Sequence, residues 1–181
     1  MRGIDDDEEV ERALRYLVDS FESSGDNPKP VILHSTRVGM DLYDRGYGTR
    51  VVVSGFLHDL LEDTAVTGDD VRSAFGADVA ETVEAVSFDE GIDDYLERHY
   101  DIYRRCFETG RGAVLVKAAD VLDNSEYYGL GDSAELGRNQ VEKMTYFVEN
   151  SEPYIGDEDI HRELAEALPT VRERVAERNG N

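Results

Sequence analysis

Apolar residues recur three and four positions apart along almost the whole chain, and no alternating run reaches strand length. The pattern predicts an all-α fold. A first helix starts near Asp5, whose acidic neighbours suit the positive end of the helix macrodipole, and follows a stripe of Val10, Leu14, Leu17 and Phe21. The polar run at 23–28 breaks it. A second helix runs from about Pro30, a residue suited to a first turn, to near Gly46. Thr49 is a good N-cap for a third, which carries Val52, Val53, Phe56, Leu57, Leu60 and Leu61. Thr67 caps a short helix that closes at Gly76. Further helices are predicted over 77–88, over 92–109, from about Ala113 onward, over 133–150 and over 157–178, with a polar end at 178–181 that should fray. With no repeat, long linker or low-complexity segment, the expectation is one domain, 1–181, built as a bundle of eight or nine helices.

Length and composition narrow the classes. A chain of 181 residues with 40% apolar content can pack one core and is too apolar for a disordered acidic chain. No stretch approaches the ~18 apolar residues of a membrane span, and no signal-like run follows the N-terminus. One cysteine, Cys106, excludes an intramolecular disulfide and a cysteine-based zinc site, so a cytoplasmic location is expected. The formal charge of −22, from 19 basic and 41 acidic residues, argues against a nucleic-acid or anionic-membrane partner. The basic set is 16 Arg and only 3 Lys. This fits a halophilic surface whose repulsion concentrated salt screens, and it also fits an acidic protein from a GC-rich mesophile.

Chemistry concentrates where ionisable residues interrupt apolar helices. In Leu57-His58-Asp59-Leu60-Leu61-Glu62-Asp63-Thr64 four such groups stand inside an apolar segment. His58 and Glu62, and Asp59 and Asp63, are four apart, which places them on adjoining strips of one helical face. Carboxylates buried so closely repel one another unless a cation or proton joins them, and a metal does so economically. His34, mid-helix in an apolar run, and Asp120, in Val114-Leu-Val-Lys117-Ala-Ala-Asp120-Val-Leu122, are two further candidates. His34, His58, Asp59 and Asp120 would form a mixed nitrogen and oxygen shell suited to Mn²⁺ or another first-row divalent ion.

These residues resemble the HD-domain phosphohydrolases, and most closely the hydrolase domain of RelA/SpoT-type enzymes and small alarmone hydrolases. The likeness rests on His34, on Gly55-Phe-Leu-His58-Asp59-Leu-Leu-Glu62-Asp63-Thr64, on Phe75-Gly76 and on Val116-Lys117-Ala-Ala-Asp120-Val-Leu-Asp-Asn124, and it spans about 10–150. It implies a single HD-domain bundle with His34, His58, Asp59 and Asp120 as metal ligands. It also implies Glu62 and Asp63 as the catalytic acidic pair, Asn124 as a nucleotide contact, and Mn²⁺ as the usual ion. The reaction it implies removes pyrophosphate from the ribose 3′ position of ppGpp. Independently, a divalent ion acidifies a bound water and neutralises a phosphoryl oxygen, while one acid of the Glu62–Asp63 pair can deprotonate that water and the other protonate a leaving group. Lys117, within a turn of Asp120, is either a phosphate contact or the ion-pair partner of a neighbouring carboxylate. Arg37, one turn from His34, is a phosphate candidate or a surface residue.

The chain departs from the alarmone-hydrolase pattern on the substrate side. The segment before the first metal His in that family is basic and supplies an Arg that stacks on guanine; here 21–30 has no Arg and two acids, Glu22 and Asp26. Ser35 follows His34 in place of a Pro, and Val121 stands where an Arg is expected. The expected substrate is therefore a small nucleotide or phosphate ester with weakened selectivity for ppGpp. The alternatives are a nucleoside 5′-monophosphatase or dinucleotide hydrolase, and a non-catalytic nucleotide or metal sensor. His99 and His161 read as surface residues, Cys106 as packing, and Tyr127 and Tyr128 as core residues or a stacking platform for a base.

Overall fold

The computed structural model describes residues 3–24, 30–89, 91–131 and 133–179. Among these every regular element is helical: α1 (Ile4–Ser24), α2 (Val31–Asp44), α3 (Thr49–Leu57), α4 (Leu60–Asp63), α5 (Gly68–Phe75), α6 (Ala77–Val86), α7 (Tyr95–Thr109), α8 (Arg111–Ser125), α9 (Ala134–Ile155) and α10 (Asp159–Asn179). The all-α class is as predicted. They gather into two compact units, Met1–Ser87 and Phe88–Asn181.

In the first unit α3 is the innermost helix. Val52, Val53, Phe56 and Leu57 are buried, and α3 packs on α1, α2 and α6. The α2–α3 approach is close because two glycines meet there. A Cβ on Gly39 would stand 2.5 Å from the Phe56 ring, and one on Gly55 would stand 2.5 Å from Leu42 Cδ1 and 3.3 Å from the Gly39 Cα. α1 buries Val10, Ala13, Leu17 and Phe21, so Ala13 rather than the half-buried Leu14 continues the predicted stripe.

Three boundaries in this unit differ from the sequence reading. Thr49 is the first residue of α3 rather than its cap; its hydroxyl donates to Asp6 Oδ1 at 2.7 Å and ties α3 to α1. The third predicted helix does not run on through Leu61. α3 ends at Leu57, His58 and Asp59 form a turn, and α4 is a single turn anchored by the Glu62 and Asp63 amides on the Asp59 carbonyl. α6 stops at Val86 rather than 88 because Ser87 is extended and its hydroxyl returns to the Val83 carbonyl at 2.7 Å. Thr67 caps α5 as predicted, in a reciprocal box with Asp70.

In the second unit α8 is buried on nearly all sides from Ala113 to Val121 and packs on α7, α9 and α10. α7 begins at Tyr95, later than predicted, because the Asp94 carboxylate accepts the Glu97 amide at 2.9 Å. α8 begins earlier than predicted, at Arg111, directly after Gly110 at φ +111°. α9 continues to Ile155 past Pro153, since Phe147, Ser151 and Ile155 keep one buried face.

α10 buries Ile160, Leu164, Leu168, Val171 and Val175 at spacings of three and four. Its end does not fray at Arg178. That guanidinium donates to the carbonyls of Gly129 and Leu130, while Arg174 Nη1 donates to those of Ser125, Glu126 and Tyr128 at 2.9–3.1 Å. These bonds fix the turn that follows α8. Residues 25–28 of the expected break and residues 180–181 of the expected fraying end lie outside the described residues.

Candidate metal centre and active site

The first unit brings three of the predicted metal ligands together. His34 projects from the second turn of α2, and His58 and Asp59 occupy the turn after α3. The close α2–α3 contact at Gly39 and Gly55 sets the two imidazoles edge to face, with ring centroids 5.0 Å apart and Nε2 atoms 3.2 Å apart. Asp59 closes the group: Oδ1 lies 3.1 Å from His58 Nε2 and Oδ2 lies 3.6 Å from His34 Nε2. His58 is fully buried.

The local backbone sets which nitrogen of His58 faces this cluster. Its Nδ1–H donates to the Gly55 carbonyl at 2.8 Å, so in the neutral imidazole Nε2 carries the lone pair, facing His34 and Asp59. Two imidazole nitrogens and a carboxylate thus converge. Acceptors so placed are matched by a divalent cation, and the donor set is the nitrogen and oxygen mixture that first-row ions favour. Ser35, next to His34 in sequence, is a buried hydroxyl with no hydrogen-bond partner among the described residues. The residues present fit a metal.

Glu62 and Asp63 stand on α4, three and four residues past Asp59, and both are half-buried. The turn at His58-Asp59 means that these two predicted ligands and the acidic pair sit on two short elements rather than one continuous helical face. Thr64 terminates α4 by donating to the Leu60 carbonyl at 2.7 Å and accepting the Val66 amide at 3.0 Å. Arg37 is half-buried on α2, one turn after His34.

The second unit gathers Lys117, Asp120 and Asn124 on one face of α8. Lys117 Nζ donates to Asp120 Oδ2 at 2.9 Å, and Asn124 Nδ2 donates to Asp120 Oδ1 at 2.6 Å. Of the two readings of Lys117, the ion pair is the one present, and Lys117 and Asp120 are both buried. Val121 is buried, so no cation occupies the position where the resemblance expects an Arg.

His99 corrects the sequence reading. It is buried, not on the surface: Nδ1 donates to the Tyr95 carbonyl at 2.7 Å and Nε2 accepts from Lys143 Nζ at 2.8 Å. The Lys143 ammonium also lies 5.3 Å from the Tyr95 ring centre and 5.0 Å from that of Tyr128. Burial first, and then the Lys143 charge, push the His99 imidazole down to about 3. His99 shares its buried face of α7 with Ile102, Tyr103 and Cys106, beneath a locally polar sequence that hides it. His161 is half-buried rather than exposed, with Nε2 at 3.0 Å from the Val148 carbonyl. Cys106 is a packing residue, and burial pushes its thiol up to about 12, far from a reactive thiolate. Tyr128 is core, and Tyr127 is 55% exposed.

No helix among the described residues is long and apolar enough to cross a membrane. No family model matches the chain. Individual proteins do. Guanosine-3′,5′-bis(diphosphate) 3′-pyrophosphohydrolase MESH1 of Mus musculus is 32% identical over 146 residues, 80% of either chain. Its Homo sapiens counterpart is 33% identical over 141 residues, 77% of either chain. A guanosine-3′,5′-bis(diphosphate) 3′-pyrophosphohydrolase of Aquifex aeolicus is 31% identical over 122 residues, of whose length the chain spans 17%. Among solved structures, a metazoan SpoT orthologue described as hydrolysing ppGpp superposes with a TM-score of 0.76 at 22% identity, over 90% of this chain and 94% of the other. A Listeria monocytogenes EGD-e protein superposes with a TM-score of 0.66 at 24% identity. These two share the fold. With four-fifths of the mouse protein matched at 32% identity, and the His58-Asp59 pair at the turn after α3, the chain belongs to the HD-type, SpoT-like family of guanosine-3′,5′-bis(diphosphate) 3′-pyrophosphohydrolases, a family of hydrolases.

Proposed function

We propose that this chain is a metal-dependent phosphohydrolase that removes pyrophosphate from the ribose 3′ position of a small nucleotide, with Mn²⁺ as its working ion. The observation that carries this reading is the convergence of His34, His58 and Asp59, with His58 Nε2 left as a lone pair by the Gly55 carbonyl. Asp120 is the fourth ligand in this reading, contributed by α8. A divalent ion held by these four supplies Lewis-acid charge neutralisation and an acidified water.

The chain's own residues then manage the protons. One carboxylate of the Glu62–Asp63 pair takes a proton from the attacking water as its oxygen bonds to the 3′-linked phosphorus. The other, protonated, delivers a proton to the ribose O3′ as the P–O3′ bond breaks. Arg37, Lys117 and Asn124 are the substrate-side residues in this reading. An ammonium carries three donors, so the Lys117 bond to Asp120 is compatible with a phosphoryl oxygen as well.

Selectivity for the guanine base is weak in this proposal, because 21–30 lacks the stacking Arg and Val121 brings no charge. The substrate is a cytoplasmic small molecule, and neither nucleic acid nor a membrane surface is a partner. The test is turnover with Mn²⁺ over a nucleotide panel that includes ppGpp, with products separated by ion exchange. Pyrophosphate released from 3′-diphosphates is expected, with guanosine and adenosine forms differing by less than about tenfold, the reach of one lost contact. Orthophosphate released from 5′-monophosphates alone would favour a nucleoside monophosphatase, and ligand binding with no turnover a sensor.

A further inference from the structure

Asp120 is gripped through both of its oxygens by donors of different charge. Lys117 Nζ takes Oδ2 and Asn124 Nδ2 takes Oδ1, from positions one turn before and one turn after on α8. Lys117 is 6% exposed and Asp120 8%, so the pair is desolvated and its charges are poorly screened. A carboxylate partner behind a ligand strengthens that ligand by raising its basicity; an ammonium acts in the opposite sense by drawing charge from the carboxylate.

We propose that Lys117 and Asn124 are opposed positioning residues for Asp120: Asn124 aims the carboxylate, and Lys117 acts as a resident counter-cation that weakens it as a ligand and keeps the bound ion electrophilic. The inference rests on the reading of Asp120 as a metal ligand. Removing the Lys117 charge leaves a buried carboxylate that needs another positive partner. A divalent ion provides one, so loss of Lys117 destabilises the metal-free protein more than the loaded protein, and metal affinity rises by linkage. Removing Asn124 takes away orientation without charge, and affinity falls. A merely structural Lys117 would make its loss weaken binding, as loss of Asn124 does.

The experiment is a Mn²⁺ titration of chelator-stripped protein, with free Mn²⁺ read by electron paramagnetic resonance, on wild type and on Lys117→Met, Lys117→Gln, Lys117→Arg and Asn124→Ala. Lys117→Met and Lys117→Gln are expected to bind Mn²⁺ about fivefold or more tightly than wild type, with a larger Mn²⁺-induced rise in Tm and a lower kcat. Lys117→Arg should stay within about threefold of wild type because it keeps the charge. Asn124→Ala should bind about tenfold more weakly. Unchanged or weaker Mn²⁺ binding in both neutral Lys117 variants overturns the proposal while leaving the metal site standing. Lys117→Gln keeps a polar donor and carries the test if Lys117→Met does not fold. No Mn²⁺ binding by wild type overturns the metal reading itself, and this proposal with it.

Discussion

Glu62 and Asp63 are assigned the proton transfers and no metal bond, and this separates their variants from those of the ligands. Asp63→Asn should lower kcat by about 10²–10⁴-fold while the Mn²⁺ affinity of the protein stays near wild type. Steady-state turnover beside a Mn²⁺ titration checks both, and unchanged turnover would remove Asp63 from the acid–base pair. His99 makes a different prediction. Its imidazole titrates at about 3 when folded, against about 6.5 in an unfolded chain, because burial and the Lys143 charge disfavour the imidazolium. Between these values the unfolded chain binds the extra proton, so stability from this residue is complete above pH 6.5 and is lost as pH falls from 6.5 toward 3. The slope is at most about 1.4 kcal/mol per pH unit. Denaturation against pH should therefore show a shallower acid loss in His99→Gln than in wild type. Neither His99 nor Lys143 was legible as buried, since Glu97-Arg98-His99-Tyr100 reads as polar and only three-dimensional packing pairs an α7 histidine with an α9 lysine.

At the scale of elements, the α2–α3 contact decides whether His34 can reach His58. Gly55 is the sensitive point, because an added Cβ meets Leu42 Cδ1 at 2.5 Å and the Gly39 backbone at 3.3 Å, and backbone cannot yield as a side-chain tip can. Gly55→Ala is expected to cost about 1–3 kcal/mol by overpacking and to weaken Mn²⁺ binding by separating the two helices. Urea denaturation and a Mn²⁺ titration measure the two effects, and an alanine that alters stability but not metal affinity would uncouple the helix contact from the site. Of the ten helices among the described residues, all but the single turn α4 were legible, because apolar residues recur in them at helical spacing. Their ends were less so: they depend on caps that compete locally, as where Asp94 starts α7 or where Ser87 ends α6. The break at His58-Asp59 was illegible for a physical reason. Leu57, Leu60 and Leu61 continue the helical period across it, while His58 and Asp59 form a turn and face His34.

For the whole molecule, a charge of −22 opposes an anionic substrate, so attraction must arise locally, from the bound ion and from the cations proposed beside it. Screening should then help rather than hinder. We expect kcat/KM to rise as KCl goes from ~0.01 M to ~1 M and the Debye length falls from ~30 Å to ~3 Å. A fall over that range would mean that long-range attraction governs the encounter. The halophilic reading of the Arg-rich, acidic composition adds a rise in Tm over the same range. The motif from Gly55 to Thr64 and His34 made the convergence of His34, His58 and Asp59 legible from the sequence; the proposed substrate side was less so, because it is argued from cations the chain lacks. The most direct test of metal-dependent hydrolysis compares wild type with the His58→Ala/Asp59→Ala variant after chelation and again after Mn²⁺ is restored, reading pyrophosphate from ppGpp. Turnover that vanishes with the chelator, returns with Mn²⁺ and is missing from the variant is the predicted result. Equal turnover by both proteins, or turnover that survives chelation, would contradict the account.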